Sequence, residues 1–127
     1  MTMYSSGLDR VLSAGNPLSD PLKIYALGSG YTFDAGHTMA DITASGAQIG
    51  SAVTLASPSV SGGVTTAADP VFTGVADTEP LITQVVVTIT VTGVEHPLMH
   101  DDTPDLDPDG SDITYVIDPT NGLYAVS

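Results

Sequence analysis

The stretch that decides the fold is VVVTITV at residues 85–91, in which every position carries a β-branched side chain. Such side chains pack well on a pleated surface and lose rotamer freedom in a helix, so the run predicts a strand within residues 81–94. Successive side chains of a strand point to opposite faces. We therefore expect the odd-numbered positions to form core and Val86, with the threonines that follow it, to form a half-solvated face.

Shorter stretches on both sides of this run have the same character. Residues 22–27 and 47–55 alternate between apolar and polar positions, and glycine or proline turns separate most stretches. A short strand is predicted at residues 31–33, and a short turn or strand at 39–42. Residues 60–72 are predicted to form a hairpin around Gly62-Gly63. Residues 113–117 and 123–126 are predicted to form a second hairpin, joined through Asn121-Gly122. The sequence therefore predicts an all-β, single-domain antiparallel sandwich or barrel.

The N-terminal segment differs from the rest of the chain. Leu8, Val11 and Leu12 are spaced for one helical face, and Gly15 would end the helix, so a short N-terminal helix is predicted over residues 6–14. We divide the chain into an N-terminal segment, residues 1–20, and a β domain, residues 21–127. The apolar residues of the segment have few local partners and are the predicted interface: Met3, Tyr4, Leu8, Val11 and Leu12. The alternative is that the segment folds back onto the β domain.

Charge excludes several classes of partner. The 127 residues include 15 acidic and 2 basic side chains, for a net charge of −13. Binding to nucleic acid or to anionic lipid depends on Lys and Arg, so neither is expected as a partner. No signal peptide is expected, because the first six residues include neither a basic nor an apolar region. No membrane span is expected, because no apolar run approaches the length of a transmembrane helix. Relief of repulsion predicts that mild acidification preserves or improves stability.

An acidic stretch follows residue 100. Six aspartates lie between positions 101 and 112, and residues 105–110 match the D-x-D-x-D-G half of a calcium loop. The twelfth position of that loop is Val116 rather than glutamate, and Pro108 interrupts it. An acidic connection between strands is the favoured interpretation, with no cofactor. The alternative is a Ca²⁺ site with four carboxylate ligands: Asp105, Asp107, Asp109 and Asp112.

Catalytic patterns are not found in the sequence. No serine lies in a G-x-S-x-G elbow, and the chain has no cysteine. We expect His37, His96 and His100 to be structural or solvent-exposed rather than metal ligands. The sequence therefore predicts a protein that is not an enzyme.

The order of segments along the chain resembles a family of small virion proteins of tailed bacteriophages. The matching segments are PLKIYAL at 21–27, YTFDAGH at 31–37, DI at 41–42, DPVFTGV at 69–75, the β-branched strand at 85–91, GSDIT at 110–114 and NGLY at 121–124. The resemblance rests on their shared order over nearly the whole chain. One departure is PLMHD at 97–101, which keeps the start of an apolar strand of the family and loses its continuation.

This resemblance implies a virion structural protein on the outer surface of the capsid, in contact with the major capsid protein. It also fits self-association, for which a trimer around a local three-fold axis is one arrangement. The net negative charge agrees with a position away from the packaged DNA. Two alternatives are a tail or head–tail structural component, and a calcium- or carbohydrate-binding β adhesion module.

Overall fold

A computed structural model describes residues 2–4, 20–61, 64–117 and 122–125. These residues form mostly β-strands and one helix: β1 (Thr2–Met3), β2 (Leu22–Leu27), α1 (Met39–Ala44), β3 (Gln48–Thr54), β4 (Ser59–Ser61), β5 (Val64–Thr66), β6 (Val71–Phe72), β7 (Gln84–Val91), β8 (Val94–Asp101), β9 (Ile113–Thr114) and β10 (Tyr124–Ala125). The all-β prediction is confirmed. Within the described ranges, no helix is long and apolar enough to cross a membrane.

The largest sheet has five strands in the order β1-β8-β7-β2-β3, and every neighbouring pair is antiparallel. Strand β7, which contains the β-branched run, lies in the middle and pairs along its length with β2 on one side and β8 on the other. The predicted strand is therefore correct. Two smaller sheets, with orders β10-β5-β4 and β6-β9, complete the fold.

The main core lies on one face of the five-stranded sheet. Val85, Val87 and Ile89 of β7 are fully buried there, as the alternation predicts. Phe72 from β6 and Leu123 just before β10 belong to the same apolar cluster, so the small sheets close over this face. Burial of this apolar surface is the main driving force for the fold.

The opposite face is more buried than the sequence predicts. Val86 and Thr88 are fully buried, whereas a half-solvated face was expected. The cover comes from Ile42 of α1, from Tyr31 and from Tyr4, which form a second apolar cluster with Val86. Alternation along one strand cannot reveal what packs on its second face.

Helix α1 replaces the turn or strand predicted at residues 39–42. The backbone N–H of Thr38 donates to Oδ2 of Asp41 at 2.9 Å, which completes a capping box at the first turn. The T-x-x-D spacing of these two residues was the sequence signal for this helix. Residues 31–33, predicted as a strand, have no strand structure.

Strand β8 was missed because Pro97 and the flanking charged and histidine residues obscure its pattern. A turn at Thr92-Gly93, with φ of 52° and 78°, joins it to β7. This pair of positive φ angles is typical of the tight turns of β-hairpins. Pro97 is accommodated where the register of β7 and β8 shifts by one residue, so that Leu98 is the extra residue of a bulge.

The predicted final hairpin is wrong in its pairing. Strand β9 pairs with β6, and β10 pairs with β5, so the last two strands belong to different sheets. The predicted hairpin at 60–72 is confirmed for β4 and β5, which flank residues 62–63. The helix predicted over residues 6–14 lies outside the described residues. Strand β1 belongs to the same sheet as the β domain, although the sequence assigned it to a separate segment.

Candidate functional site

Polar and aromatic side chains meet where β1 joins the five-stranded sheet. They come from the residue that follows β1, from the connection between β2 and α1, from the first residue of β7, and from β8. We call this group the tyrosine–histidine cluster, and its members are Tyr4, Tyr31, Phe33, His37, Gln84 and His100. It lies on the face of the sheet opposite the main core.

A chain of hydroxyl groups runs through the cluster. The hydroxyl oxygens of Tyr4 and Tyr31 are 2.6 Å apart, and the Tyr31 hydroxyl lies 3.0 Å from Nδ1 of His37. Burial, followed by the hydrogen bond with Tyr31, raises the pKa of Tyr4. Burial likewise raises the pKa of Tyr31. Both phenols therefore stay protonated at neutral pH, and the chain connects a fully buried tyrosine to a partly exposed histidine.

The side-chain amide of Gln84 is the centre of the cluster. Its Nε2 donates to the carbonyl oxygens of Gly28 and Tyr31, at 2.7 and 2.8 Å. Because the nitrogen is committed to these two acceptors, Oε1 faces His100, whose Nε2 lies 2.7 Å away. His100 Nε2 must then carry a proton and donate it. One buried amide thus joins the connection after β2 to the first residue of β7, and it also sets the tautomer of His100 on β8.

His100 is enclosed by aromatic rings. The Phe33 ring stacks on its imidazole with a centroid distance of 4.6 Å and an interplanar angle of 21°. The rings of Tyr31 and Tyr4 approach it at 6.0 and 6.5 Å. Burial lowers the pKa of His100, although Asp102 and Asp101 act in the opposite direction. The neutral imidazole is therefore favoured in the folded protein.

A second polar group lies on the same face of the sheet. The Tyr25 hydroxyl is 2.9 and 2.8 Å from the two carboxylate oxygens of Glu95, and Thr88 Oγ1 donates to Oε2 at 2.6 Å. Burial, then the hydrogen bond with Glu95, raises the pKa of Tyr25 to about 12. These contacts join β2, β7 and β8 across the sheet, so the carboxylate has a structural role there.

The predicted interface residues fall into three groups. Tyr4 is fully buried within its own chain, so its ring is not available to a partner while β1 is docked. For this residue the alternative, that the segment folds back onto the β domain, describes the structure. The backbone of Met3 pairs with Met99 of β8. Leu8, Val11 and Leu12 lie outside the described residues.

The aspartates of the alternative calcium site lie along the connection between β8 and β9. Leu106 forms a bridge with Ile82, and Pro108 is buried, while the four aspartates remain exposed. Asp109 Oδ1 accepts the N–H of Ser111, and Asp112 Oδ1 accepts the N–H of Gly74 at 2.8 Å. Within the described ranges, no three carboxylate or histidine side chains are grouped in a way that could hold a metal ion. The structure brings Asp109 and Asp112 to backbone donors rather than to one another.

At the end of β8, Asp101 accepts hydrogen bonds from Tyr115 and Thr103. The Tyr115 hydroxyl is 2.5 Å from Oδ2, and the Thr103 hydroxyl is 2.7 Å from Oδ1. Burial opposes ionisation of this carboxylate, but these hydrogen bonds outweigh it and lower the pKa of Asp101. The interaction ties β8 to the segment that follows β9.

Sequence reasoning did not identify the tyrosine–histidine cluster as a site. Its members are separated by up to 96 positions, since Tyr4 and His100 meet only through the pairing of β1 with β8. The YTFDAGH segment contributes three of the six members and was the local signal. The other three could be assigned only after the strand order was known.

The fold and this cluster define a small antiparallel β protein whose N-terminal strand is held by buried aromatic and polar side chains. Comparison of the chain with protein-family models, curated proteins and solved structures finds no match.

Proposed function

We propose that the protein is a non-enzymatic virion structural protein that decorates the outer surface of a tailed-phage capsid and contacts the major capsid protein. The observation that carries this proposal is the charge of −13 on a small β domain, together with the collinear resemblance described above. A strongly anionic surface is repelled by packaged DNA and suits the outside of a shell. Many copies there would also keep particles dispersed.

The contact with the shell is assigned to the outward face of β6 and β9. Val71 and Thr114 are paired on the outward face of β6 and β9, and Val116 is exposed two residues further along. Val116 is 67% exposed and Val71 is 38% exposed, whereas their neighbours Phe72 and Ile113 point into the main core. Two exposed valines on the outward face of one small sheet support contact with another protein subunit.

The first experiment is quantitative protein composition of purified particles that carry this chain, scaled to the major capsid protein. Decoration predicts a molar ratio between about one-third and one, because a repeated shell site recurs with the capsid subunits. A ratio of a few hundredths would instead assign the protein to the tail or the head–tail connector. Absence from particles would overturn both assignments and leave an adhesion module to be tested.

A binding experiment then tests the contact surface. Purified protein is mixed with assembled shells that lack it, and with duplex DNA, and the bound fraction is measured after sedimentation. Val116→Asp should weaken binding to shells by about tenfold or more, since it places a charge in a desolvated contact. Val94→Asp is the matched control, because Val94 is 56% exposed at the turn between β7 and β8 and lies outside this face. Equal effects of the two variants would refute this contact surface, and binding to DNA would refute the proposed location.

A further inference from the structure

Among the residues that the structure describes, the backbone contacts of strand β1 with the sheet are few. Its two residues pair with Met99 and His100, and the N–H of Tyr4 donates to the carbonyl oxygen of Leu98 at 2.9 Å. A two-residue strand has little stability of its own. The fully buried ring of Tyr4, with its hydroxyl bonded to that of Tyr31, adds to these backbone contacts in keeping the strand docked.

The site that receives the Tyr4 ring is built around His100. Phe33 contacts both rings: it stacks on His100, and its centroid lies 4.9 Å from that of Tyr4 in an edge-to-face arrangement. Tyr31 bonds to the Tyr4 hydroxyl and also packs against His100. A change in the charge of His100 therefore acts directly on the groups that hold Tyr4.

In the part of the chain that the structure describes, no negatively charged group contacts the His100 imidazole to offset a positive charge on it. The carboxylates of Asp101 and Asp102 favour the charged form, but burial outweighs them. Within the described part of the chain, no carboxylate forms an ion pair with His100, and its Nε2 already donates to the neutral amide of Gln84. The polar and titratable groups that face the cluster come from every element packed around it. They are Tyr4 just after β1, Tyr31, Asp34 and His37 of the β2–α1 connection, Asp41 of α1, Gln84 of β7, and Asp101 with Asp102 at the end of β8.

We propose that His100 is a pH-sensitive latch for the N-terminal strand: protonation of its enclosed imidazole releases residues 2–4 from β8 while the rest of the sheet stays folded. Release exposes the Tyr4 ring and the backbone groups of β8 that β1 covers. An uncovered strand edge can pair with a strand of another chain. Mild acid thus uncovers the part of the β8 edge that β1 covers, at Met99 and His100.

The direction follows from linkage. Burial lowers the pKa of His100 below its ordinary value of 6.5, so docking favours the neutral form. The contribution of neutral His100 to the docking of β1 is fully present above pH 6.5 and is lost as pH falls through the lower pKa of His100 in the folded state. Opening is local because β8 is also paired with β7 along its length and contributes Leu98 and Met99 to the main core.

The test is amide hydrogen exchange by NMR on the full chain between about pH 8 and pH 4, with the ring protons of His100 recorded in the same samples. Exchange is expressed as protection relative to the unstructured peptide, which removes the intrinsic pH dependence. The Tyr4 amide should lose about tenfold or more of its protection as His100 titrates, whereas the Val87 amide in the centre of the sheet should retain its protection.

Two variants separate the latch from general acid effects. His100→Gln keeps a side-chain donor towards Gln84 but cannot be charged, so its Tyr4 protection should not change with pH. His37→Gln removes the histidine at the exposed end of the hydroxyl chain and should leave the transition in place. If His100→Gln does not fold, the wild-type protein still provides the test, because the loss of Tyr4 protection and the titration of the His100 ring protons should occur at the same pH.

Three results would refute the latch. Tyr4 protection could stay constant while His100 titrates, His100→Gln could lose protection as the wild type does, or Val87 could lose protection together with Tyr4.

Discussion

Replacement of Gln84 by methionine tests how much stability one buried amide contributes. Gln84 is 7% exposed and makes hydrogen bonds of 2.7, 2.8 and 2.7 Å to Gly28, Tyr31 and His100. Methionine has a similar volume and no hydrogen-bonding amide, so two buried carbonyl groups and one imidazole N–H lose this partner. Each such loss costs about 1–3 kcal/mol, which gives about 3–9 kcal/mol for the three groups together. This is a large part of the stability of a domain of this size, about 5–15 kcal/mol.

The same chain supplies a matched control. Gln48 is opposite Leu27 on β3, just as Gln84 is opposite Leu27 on β7. The Gln48 side chain is exposed, and its single bond, to the carbonyl oxygen of Gly50, is 3.2 Å long. Gln48→Met is therefore expected to change the free energy of unfolding by no more than about 0.5 kcal/mol.

The assay is urea unfolding at neutral pH, followed by far-UV circular dichroism and by tyrosine fluorescence, since the chain has five tyrosines and no tryptophan. Coincident transitions from the two probes support a two-state analysis. A stability loss below about 1 kcal/mol for Gln84→Met, or one equal to that of Gln48→Met, would refute the central role assigned to this amide.

Four further outcomes are expected. Ile82→Ala, at a fully buried position, should lower the free energy of unfolding by about 2–5 kcal/mol in the same assay, whereas Val116→Ala should change it by less than about 0.5 kcal/mol; equal losses would contradict the assigned core. Gly122→Ala, at φ +61°, brings a Cβ atom against the backbone of β5 and should destabilise more than Gly74→Ala, which has φ +56° and open space, when both are compared by thermal melting. Hydrogen bonds outweigh burial and lower the pKa of Asp101, so the stability that this carboxylate contributes is present above its ordinary pKa of 3.8 and is lost as pH falls through the lower pKa of the folded state. Asp101→Asn should therefore reduce the free energy of unfolding at pH 7 and weaken its dependence on pH below about 4. An unchanged pH dependence below about 4 would contradict this. Millimolar calcium should leave the melting temperature unchanged, whereas a saturable rise would show that the acidic connection binds the ion.

The pH dependence combines opposing effects. Net charge alone predicts that mild acid preserves or improves stability. The structure adds His100 and Asp101, whose lowered pKa values both make the folded state less favourable as protons are added. Local hydrogen exchange at Tyr4 separates the first of these groups from the global effect of charge.

The sequence alone determined the elements whose signal is local. The β-branched run of β7, the alternation of β2 and β3, and the hairpin of β4 and β5 could all be predicted, because side-chain shape and a period of two act within a few residues. The short helix α1 also had a local signal in its capping box, which competed with the brief apolar pattern around it. The net charge likewise requires only composition.

Only the tertiary structure decided which strands pair and what covers the second face of the sheet. Strand β8 could not be recognised from its sequence, because Pro97 is acceptable only at the bulge opposite β7. The last two strands separate into different sheets because β5 and β6 offer them partners that are distant in sequence. The tyrosine–histidine cluster arises in the same way, since Tyr4, Gln84 and His100 become neighbours only when three strands are in register. Pairing and burial are properties of distant segments brought together, and no local pattern specifies them.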